Sequence, residues 1–172
     1  MAHNKYYPVS IFLHWLTAVV VVSTGLLGFS AVNIISGKPL LMKVFYVHKT
    51  MGLSVLIITI IRLMVRISYE MNPAKITALE KMLSRAGHIL MYILLMAIPI
   101  SGYAISNAHG HDVSFFSIAL PRIVPSSKYT ASLFEKIHSV LAFTLFVTIV
   151  LHVTMAIKHL LIDKINLFAR MW

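Results

Sequence analysis

The chain has 172 residues, of which 59% are hydrophobic and only 12% are charged. Soluble domains contain about 45–50% apolar residues, so this composition, with a mean hydropathy of +0.86, indicates a membrane protein. The formal net charge is +10. Its basic residues lie at the ends of apolar runs, where lipid head groups and membrane topology account for them, and no nucleic-acid partner is expected.

The sequence contains no cysteine. This excludes disulfides, thiolate metal sites, iron–sulfur ligation and the covalent attachment of c-type haem. Any haem must therefore be held without a covalent bond. The sequence shows no internal repeat or low-complexity segment, and we expect a single domain over residues 1–172.

Four apolar stretches are long enough to cross a membrane, which takes about 20 residues. The predicted helices cover residues 10–29, 44–65, 84–105 and 133–157. The first stretch is longer than the apolar region of a signal peptide and contains His14 and Trp15, so it is kept as a helix. The sequence thus predicts an all-α fold, a four-helix transmembrane bundle.

The loop between the third and fourth helices combines turn-forming residues with an apolar stretch. The stretch "VSFFSIALPRIV", residues 113–124, predicts a short helix lying on the membrane interface. His109 and His111 form an H-x-H motif with only Asp112 adjacent, which favours a solvated loop over a metal site. His3 and His159 are expected at the interface without a special role.

The distribution of lysine and arginine predicts the orientation. One side of the membrane receives nine of these residues: Lys5, Arg62, Arg66, Lys75, Lys81, Arg85, Lys158, Lys164 and Arg170. The other side receives six: Lys38, Lys43, Lys49, Arg122, Lys128 and Lys136. The positive-inside rule therefore predicts a multi-pass protein of the bacterial inner membrane with both termini in the cytoplasm.

Four histidines fall into an inner and an outer group when they are placed by depth. His14 lies near the inner start of the first helix and His48 near the outer start of the second, while His138 and His152 lie toward opposite ends of the fourth. Fourteen residues make four helical turns less about 40° and rise about 21 Å, so His138 and His152 share one face. Depth thus pairs His14 with His152 and His48 with His138. Facing imidazoles suit the iron of haem b, which predicts two haems.

Other residues near these depths are candidates for cofactor binding. Three glycines would make room for a porphyrin: Gly28, Gly52 and Gly102. Arg62 follows His48 by 14 residues and could pair with a propionate of the inner haem, and Lys49 and Lys136 could do so outside. The alternatives are that Arg62 reflects the positive-inside rule and that the glycines serve close helix packing.

His88 is a third histidine at the inner depth. It lies in "AGHILMY" at the inner end of the third helix, so three imidazoles compete for two axial positions. We interpret it as a contact to a ligand or propionate or as part of a quinone site. The alternatives are that it replaces an assigned ligand or that it reaches to the interface as a structural residue.

Segments on all four helices carry a resemblance to a known family. "SIFLHWL", "HKTMGLSVLIITIIRLMVR", "GHILMYILLMAIPISGY" and "KIHSVLAFTLFVTIVLHV", with the loop stretch "VSFFSIALP", resemble the bacterial dihaem cytochrome b561 family, which is related to the cytochrome b subunits of hydrogenases and formate dehydrogenases. The resemblance implies ligation by His14 and His152 at the inner iron and by His48 and His138 at the outer iron. It also implies quinone chemistry, and one type in the family passes electrons from superoxide to ubiquinone.

We therefore expect an oxidoreductase that carries electrons to or from quinone, with a small anionic donor such as superoxide or with a redox protein. The basic residues of the outer side would attract an anion. One alternative is an electron-conducting subunit of a dehydrogenase or hydrogenase complex. A transporter that uses intramembrane histidines is a further alternative, but the spans carry no acidic residue apart from Glu135 at one edge.

Overall fold

The computed structural model describes residues 6–69, 76–116 and 118–171. Four long helices dominate it: α1 (Pro8–Asn33), α2 (Lys38–Ser68), α3 (Ala78–Ala108) and α4 (Lys128–Leu161). All four are long and apolar enough to cross a membrane, and each contains one of the predicted spans. The prediction of an all-α, four-helix transmembrane bundle is confirmed. The prediction of a single domain stays a prediction, and His3, Lys5 and Lys75 lie outside the described residues.

Each helix extends beyond its predicted span, because residues that suit the first turn of a helix precede the apolar stretch. Proline occupies the first turn of both α1 and α2, where its missing N–H costs no hydrogen bond. Thr77 and Glu80 form a reciprocal capping box at the start of α3, and the Ser127 side chain accepts a hydrogen bond from the Thr130 backbone at the start of α4.

The helices pack in chain order, α1 on α2, α2 on α3 and α3 on α4. The buried apolar centre consists of Val55, Leu94, Leu95 and Leu145. Leu145 lies seven residues from both His138 and His152 on α4. The apolar centre therefore lies midway between the inner and outer histidines.

The loop between α3 and α4 forms a small β-hairpin, and the prediction of an interfacial helix there is wrong. Strands β1 (Ser114–Phe115) and β2 (Ile118–Ala119) pair antiparallel. The backbone N–H of Leu120 donates to the Val113 carbonyl across 2.9 Å, and Val113 is buried. A segment this short gains little from helix formation, and its valine, phenylalanine and isoleucine residues favour extended backbone.

The C-terminal tail folds back onto the start of α1. A 3₁₀ turn at Phe168–Arg170 ends the described chain, and the Trp15 indole donates to the Met171 carbonyl across 2.9 Å. The Tyr6 backbone N–H donates to the Arg170 carbonyl across 3.1 Å. The two ends of the described chain therefore meet on one side of the bundle, the side of His14.

Candidate functional site

The four histidines predicted as ligands form two pairs. The ring centroids of His14 on α1 and His152 on α4 are 6.5 Å apart, with an interplanar angle of 57°. Those of His48 on α2 and His138 on α4 are 6.4 Å apart, at 73°. Bonds from a metal to imidazole nitrogen are about 2 Å long, so an ion between two rings holds their centroids about 6 Å apart. Each pair can therefore hold one metal ion between its rings.

Hydrogen bonds fix the rings of the outer pair. Nδ1 of His48 donates to the Thr24 carbonyl across 3.0 Å. Nδ1 of His138 lies 2.9 Å from the Ser101 hydroxyl and 3.1 Å from the Ile98 carbonyl, to which Ser101 itself donates. Because a carbonyl oxygen can only accept, Nδ1 carries the proton in both rings. The lone pair of each Nε2 is thereby left for a metal.

Two glycines lie directly against the outer imidazoles. A Cβ on Gly28 would lie 2.8 Å from Cε1 of His48, and one on Gly102 would lie 3.2 Å from Cε1 of His138. A Cβ on Gly52 would meet no such atom within 4 Å. Gly28 and Gly102 thus let the backbones of α1 and α3 approach the rings, and Gly52 leaves open space one turn after His48.

An arginine holds one ring of the inner pair. Nη2 of Arg62 donates to Nδ1 of His14 across 2.8 Å, so the proton of that ring lies on Nε2. The Arg62 guanidinium also lies 5.6 Å from the centre of the Tyr92 ring, and that of Arg66 lies 6.0 Å from it. The Tyr92 hydroxyl is buried without a hydrogen-bond partner among the described residues. No pattern in the sequence marked Tyr92.

His88 lies at the inner site, as its depth predicted. Its ring centroid is 5.4 Å from that of His152, at an interplanar angle of 79°. Nδ1 of His88 donates to the Ser84 carbonyl across 2.6 Å. The inner site therefore contains three imidazoles, and the His152 ring lies close to both of the others.

The outer loop is held by hydrogen bonds to two acidic side chains. His109 donates to Glu135 across 2.7 Å, and Arg122 donates to Asp112 across 2.8 Å. The hydrogen bond from Arg122, together with its charge, holds the pKa of the Asp112 carboxyl below its usual value of 3.8. The two acidic residues of this face are therefore both engaged.

A second polar cluster joins α3 and α4 at the inner end. Lys158 contacts Glu80 and Asp163, each across 2.7 Å, and His159 contacts Asp163 across 2.6 Å. The hydrogen bond from Lys158 lowers the pKa of Asp163 from its usual 3.8. His159 is only 4% exposed, and Asp163, an acidic partner four residues later, compensates its burial. The predicted position of His159 at the membrane interface stays a prediction.

Comparison with known proteins gives consistent matches over nearly the whole chain. A family model of prokaryotic cytochrome b561 matches residues 5–172. "Cytochrome b561 homolog 2" of Escherichia coli (strain K12) is 33% identical over 171 residues, covering 98% of this chain and 91% of that protein.

Two further relatives are more distant. "Cytochrome b561 homolog 1" of Escherichia coli (strain K12) is 28% identical over 178 residues, covering 98% of this chain and 97% of that protein. "Probable superoxide oxidase CybB" of Yersinia pestis is 25% identical over 173 residues, covering 98% of this chain and 96% of that protein. Together with the family match, these similarities show that the chain belongs to the prokaryotic cytochrome b561 family.

Proposed function

We propose that the protein is a dihaem cytochrome b that carries electrons between a donor at the outer face of the membrane and a quinone. Family membership implies haem b, and the four helices make this a multi-pass protein of the inner membrane. The observation that carries the proposal is the presence of two facing imidazole pairs, with centroids 6.5 and 6.4 Å apart, at opposite ends of α4. We assign His14 and His152 to the inner haem and His48 and His138 to the outer one.

The residues of the outer pair fit haem b. Gly28 and Gly102 form a cradle that a Cβ would fill, and the Nδ1 hydrogen bonds present the free Nε2 of both rings. Hydrogen bonds of this kind orient ligand rings and raise their basicity. Haem b held by these histidines would exchange single electrons between its ferric and ferrous iron.

Arg62 supports an anionic group at the inner end. If His14 binds a metal through Nε2, its Nδ1 carries the ring proton and can no longer accept from Arg62. The guanidinium then needs another acceptor, and a haem propionate is one of suitable charge. Lys49 and Lys136 are the corresponding cations at the outer end.

The proposed orientation places both termini in the cytoplasm. The side that carries the termini has nine lysine and arginine residues and the other side has six, which is the asymmetry that the positive-inside rule requires. His48 and His138 then lie near the outer face, and His14 and His152 lie near the cytoplasm.

For the donor, we favour superoxide, which makes the protein a superoxide:ubiquinone oxidoreductase. Five lysines of the outer face form no ion pair with any residue that the structure describes: Lys38, Lys43, Lys49, Lys128 and Lys136. A surface of this charge attracts a small anion. The name of the Yersinia pestis relative points the same way. The second candidate is an electron-conducting subunit that receives electrons from a redox protein, because an acidic protein would bind the same lysines.

Haem content of the purified protein tests the proposal. The wild type should contain two b-type haems per chain by the pyridine haemochrome assay, and His48→Ala, His138→Ala and His152→Ala should each contain one. His109→Ala, which changes a loop histidine paired with Glu135, is the matched control and should contain two. Both haems retained in any of the three would remove that residue from the ligand set. A wild type without haem would overturn the proposal and favour a transporter.

The donor is tested separately with protein that contains haem. Stopped-flow mixing with superoxide should reduce the wild type, and added ubiquinone should reoxidise it. A protein that reacts slowly with superoxide and co-purifies with a soluble redox protein would instead support the conducting subunit.

A further inference from the structure

The inner and outer sites differ in the number of histidines they contain. At the inner site the His152 ring has two neighbours, His14 at 6.5 Å and His88 at 5.4 Å between centroids. At the outer site, His48 and His138 face each other, and no third histidine ring packs on either of them in the part of the chain that the structure describes. A cofactor that needs two imidazoles therefore finds one more than it needs at the inner end only.

The His88 ring is held in the form that binds a metal. Its Nδ1 donates to the Ser84 carbonyl across 2.6 Å, which places the proton on Nδ1 and leaves the Nε2 lone pair free. His48 is arranged in the same way by the Thr24 carbonyl. His88 and His48 are thus held in the same tautomer, with the proton on Nδ1 and the lone pair of Nε2 available to a metal.

His14 is held differently. Its Nδ1 accepts from Arg62 across 2.8 Å, so its proton lies on Nε2, the atom through which it would bind iron. Ligation by His14 therefore requires the proton to move to Nδ1 and Arg62 to release that atom. Ligation by His88 requires neither of these changes, because its Nδ1 already donates to a carbonyl. Its ring centroid, 5.4 Å from that of His152, would have to move out to the roughly 6 Å that an ion between two rings needs.

We propose that His88 is a second axial partner for His152, able to replace His14 on the inner haem iron. The proposal rests on the function proposed above and concerns the inner site alone. Exchange of one neutral imidazole for another leaves the charge and the electron count of the iron unchanged. It predicts that the inner haem survives the loss of His14 and that the outer haem does not survive the loss of His48.

The experiment compares haem content and the low-spin ferric signals in electron paramagnetic resonance across six proteins. They are the wild type, His14→Gln, His14→Ala, His88→Gln, the double variant with His14→Gln and His88→Gln, and His48→Gln. Glutamine at position 14 keeps an acceptor for Arg62 and removes the imidazole. His14→Ala is included so that the result does not depend on how the glutamine side chain packs at position 14. Added imidazole reports whether the iron has an open axial position.

The proposal predicts two haems per chain in His14→Gln or His14→Ala, with a shifted inner low-spin signal that added imidazole does not change. His88→Gln should keep both signals of the wild type. The double variant should fall to one haem per chain, or should show a high-spin inner haem that added imidazole converts to low spin. His48→Gln should retain only one haem.

Two results would overturn the proposal while the dihaem function stands. The first is one haem per chain, or an inner haem that responds to imidazole, in both single variants at position 14. The second is a double variant that keeps two low-spin haems, since His88 would then not be the replacement. Absence of haem from the wild type is a different result and would overturn the proposed function itself.

Discussion

Gly28 controls how closely α1 approaches an imidazole of the outer pair. An added Cβ would lie 2.8 Å from Cε1 of His48, closer than carbon atoms in contact can lie, and the ring cannot move freely because its Nδ1 is bonded to the Thr24 carbonyl. We therefore expect Gly28→Ala to displace the ring and to weaken metal binding by about 10–100-fold, as loss of a supporting contact typically does. Outer-haem occupancy during titration of the haem-free protein with haemin measures this effect.

Gly25→Ala is the matched control for this prediction. Gly25 lies one turn away on the same helix, and a Cβ there would meet nothing within 4 Å. The affinity of the Gly25→Ala variant for haem should equal that of the wild type. Equal affinity in both variants would show that the approach of α1 to His48 does not support the outer site.

The pairing of the four histidines was predictable from the sequence, but the contacts that support their rings were not. Fourteen-residue spacing and depth suggested which histidines would face each other, because a helix repeats its face at that interval. The donation from Arg62 to His14 and the burial of the Tyr92 hydroxyl depend on how α2 lies against α1 and α3. Gly102 follows His88 by 14 residues on the same helix, yet it lies against His138 because α3 packs on α4.

At the scale of elements, long apolar helices were predicted well and the outer loop was not. A membrane-spanning helix satisfies its own backbone hydrogen bonds, so about 20 apolar residues suffice to identify it. The segment that forms β1 and β2 has no such internal signal. Its conformation depends on distant contacts, among them the fully buried Asn107, whose side-chain oxygen accepts from the Ile123 backbone across 2.9 Å.

The junction between α4 and the tail should depend on pH through Asp163. Hydrogen bonds from Lys158 and His159 lower the pKa of this carboxyl below the value of 3.8 expected in the unfolded chain. A lowered pKa contributes stability that is fully present above pH 3.8 and is lost as the pH falls through the folded-state pKa. The melting temperature of Asp163→Asn in detergent should thus lie below that of the wild type by a constant amount from pH 7 to pH 5, because this interval lies above the pKa of the carboxyl in both the folded and the unfolded chain.

Below about pH 3.8 the difference in melting temperature should shrink, because the carboxyl is then protonated in the unfolded chain and, as the pH falls through the lower folded-state pKa, in the folded protein too. Lys158→Met removes the main donor to Asp163. The difference in melting temperature between this variant and the wild type should shrink over the same pH range. A difference that widens on acidification would contradict the assignment of this effect to Asp163.

For the whole molecule, composition and charge were sufficient to predict a membrane protein and to propose its orientation. They could not identify the donor, because a surface rich in lysine attracts a small anion and an acidic protein alike. The structure shows which charges of the outer face an incoming anion would meet. Arg122 is paired with Asp112, and Glu135 accepts from His109, so the lysines of the outer face supply the field that an incoming anion meets.

If superoxide is the donor, its reaction should depend on ionic strength through these lysines. Steering by such a surface raises association rates by about 10–10³-fold and is lost as salt shortens the screening length from about 30 Å at 0.01 M to about 3 Å at 1 M. We expect the second-order rate constant for reduction by superoxide to fall at least about tenfold over this range. Replacing Lys43 and Lys136 by glutamine should flatten that dependence, whereas replacing Lys81 and Arg85 on the opposite side should leave it unchanged. A rate constant that is independent of salt in the wild type would rule out steering and would leave docking of a redox protein as the role of the basic face.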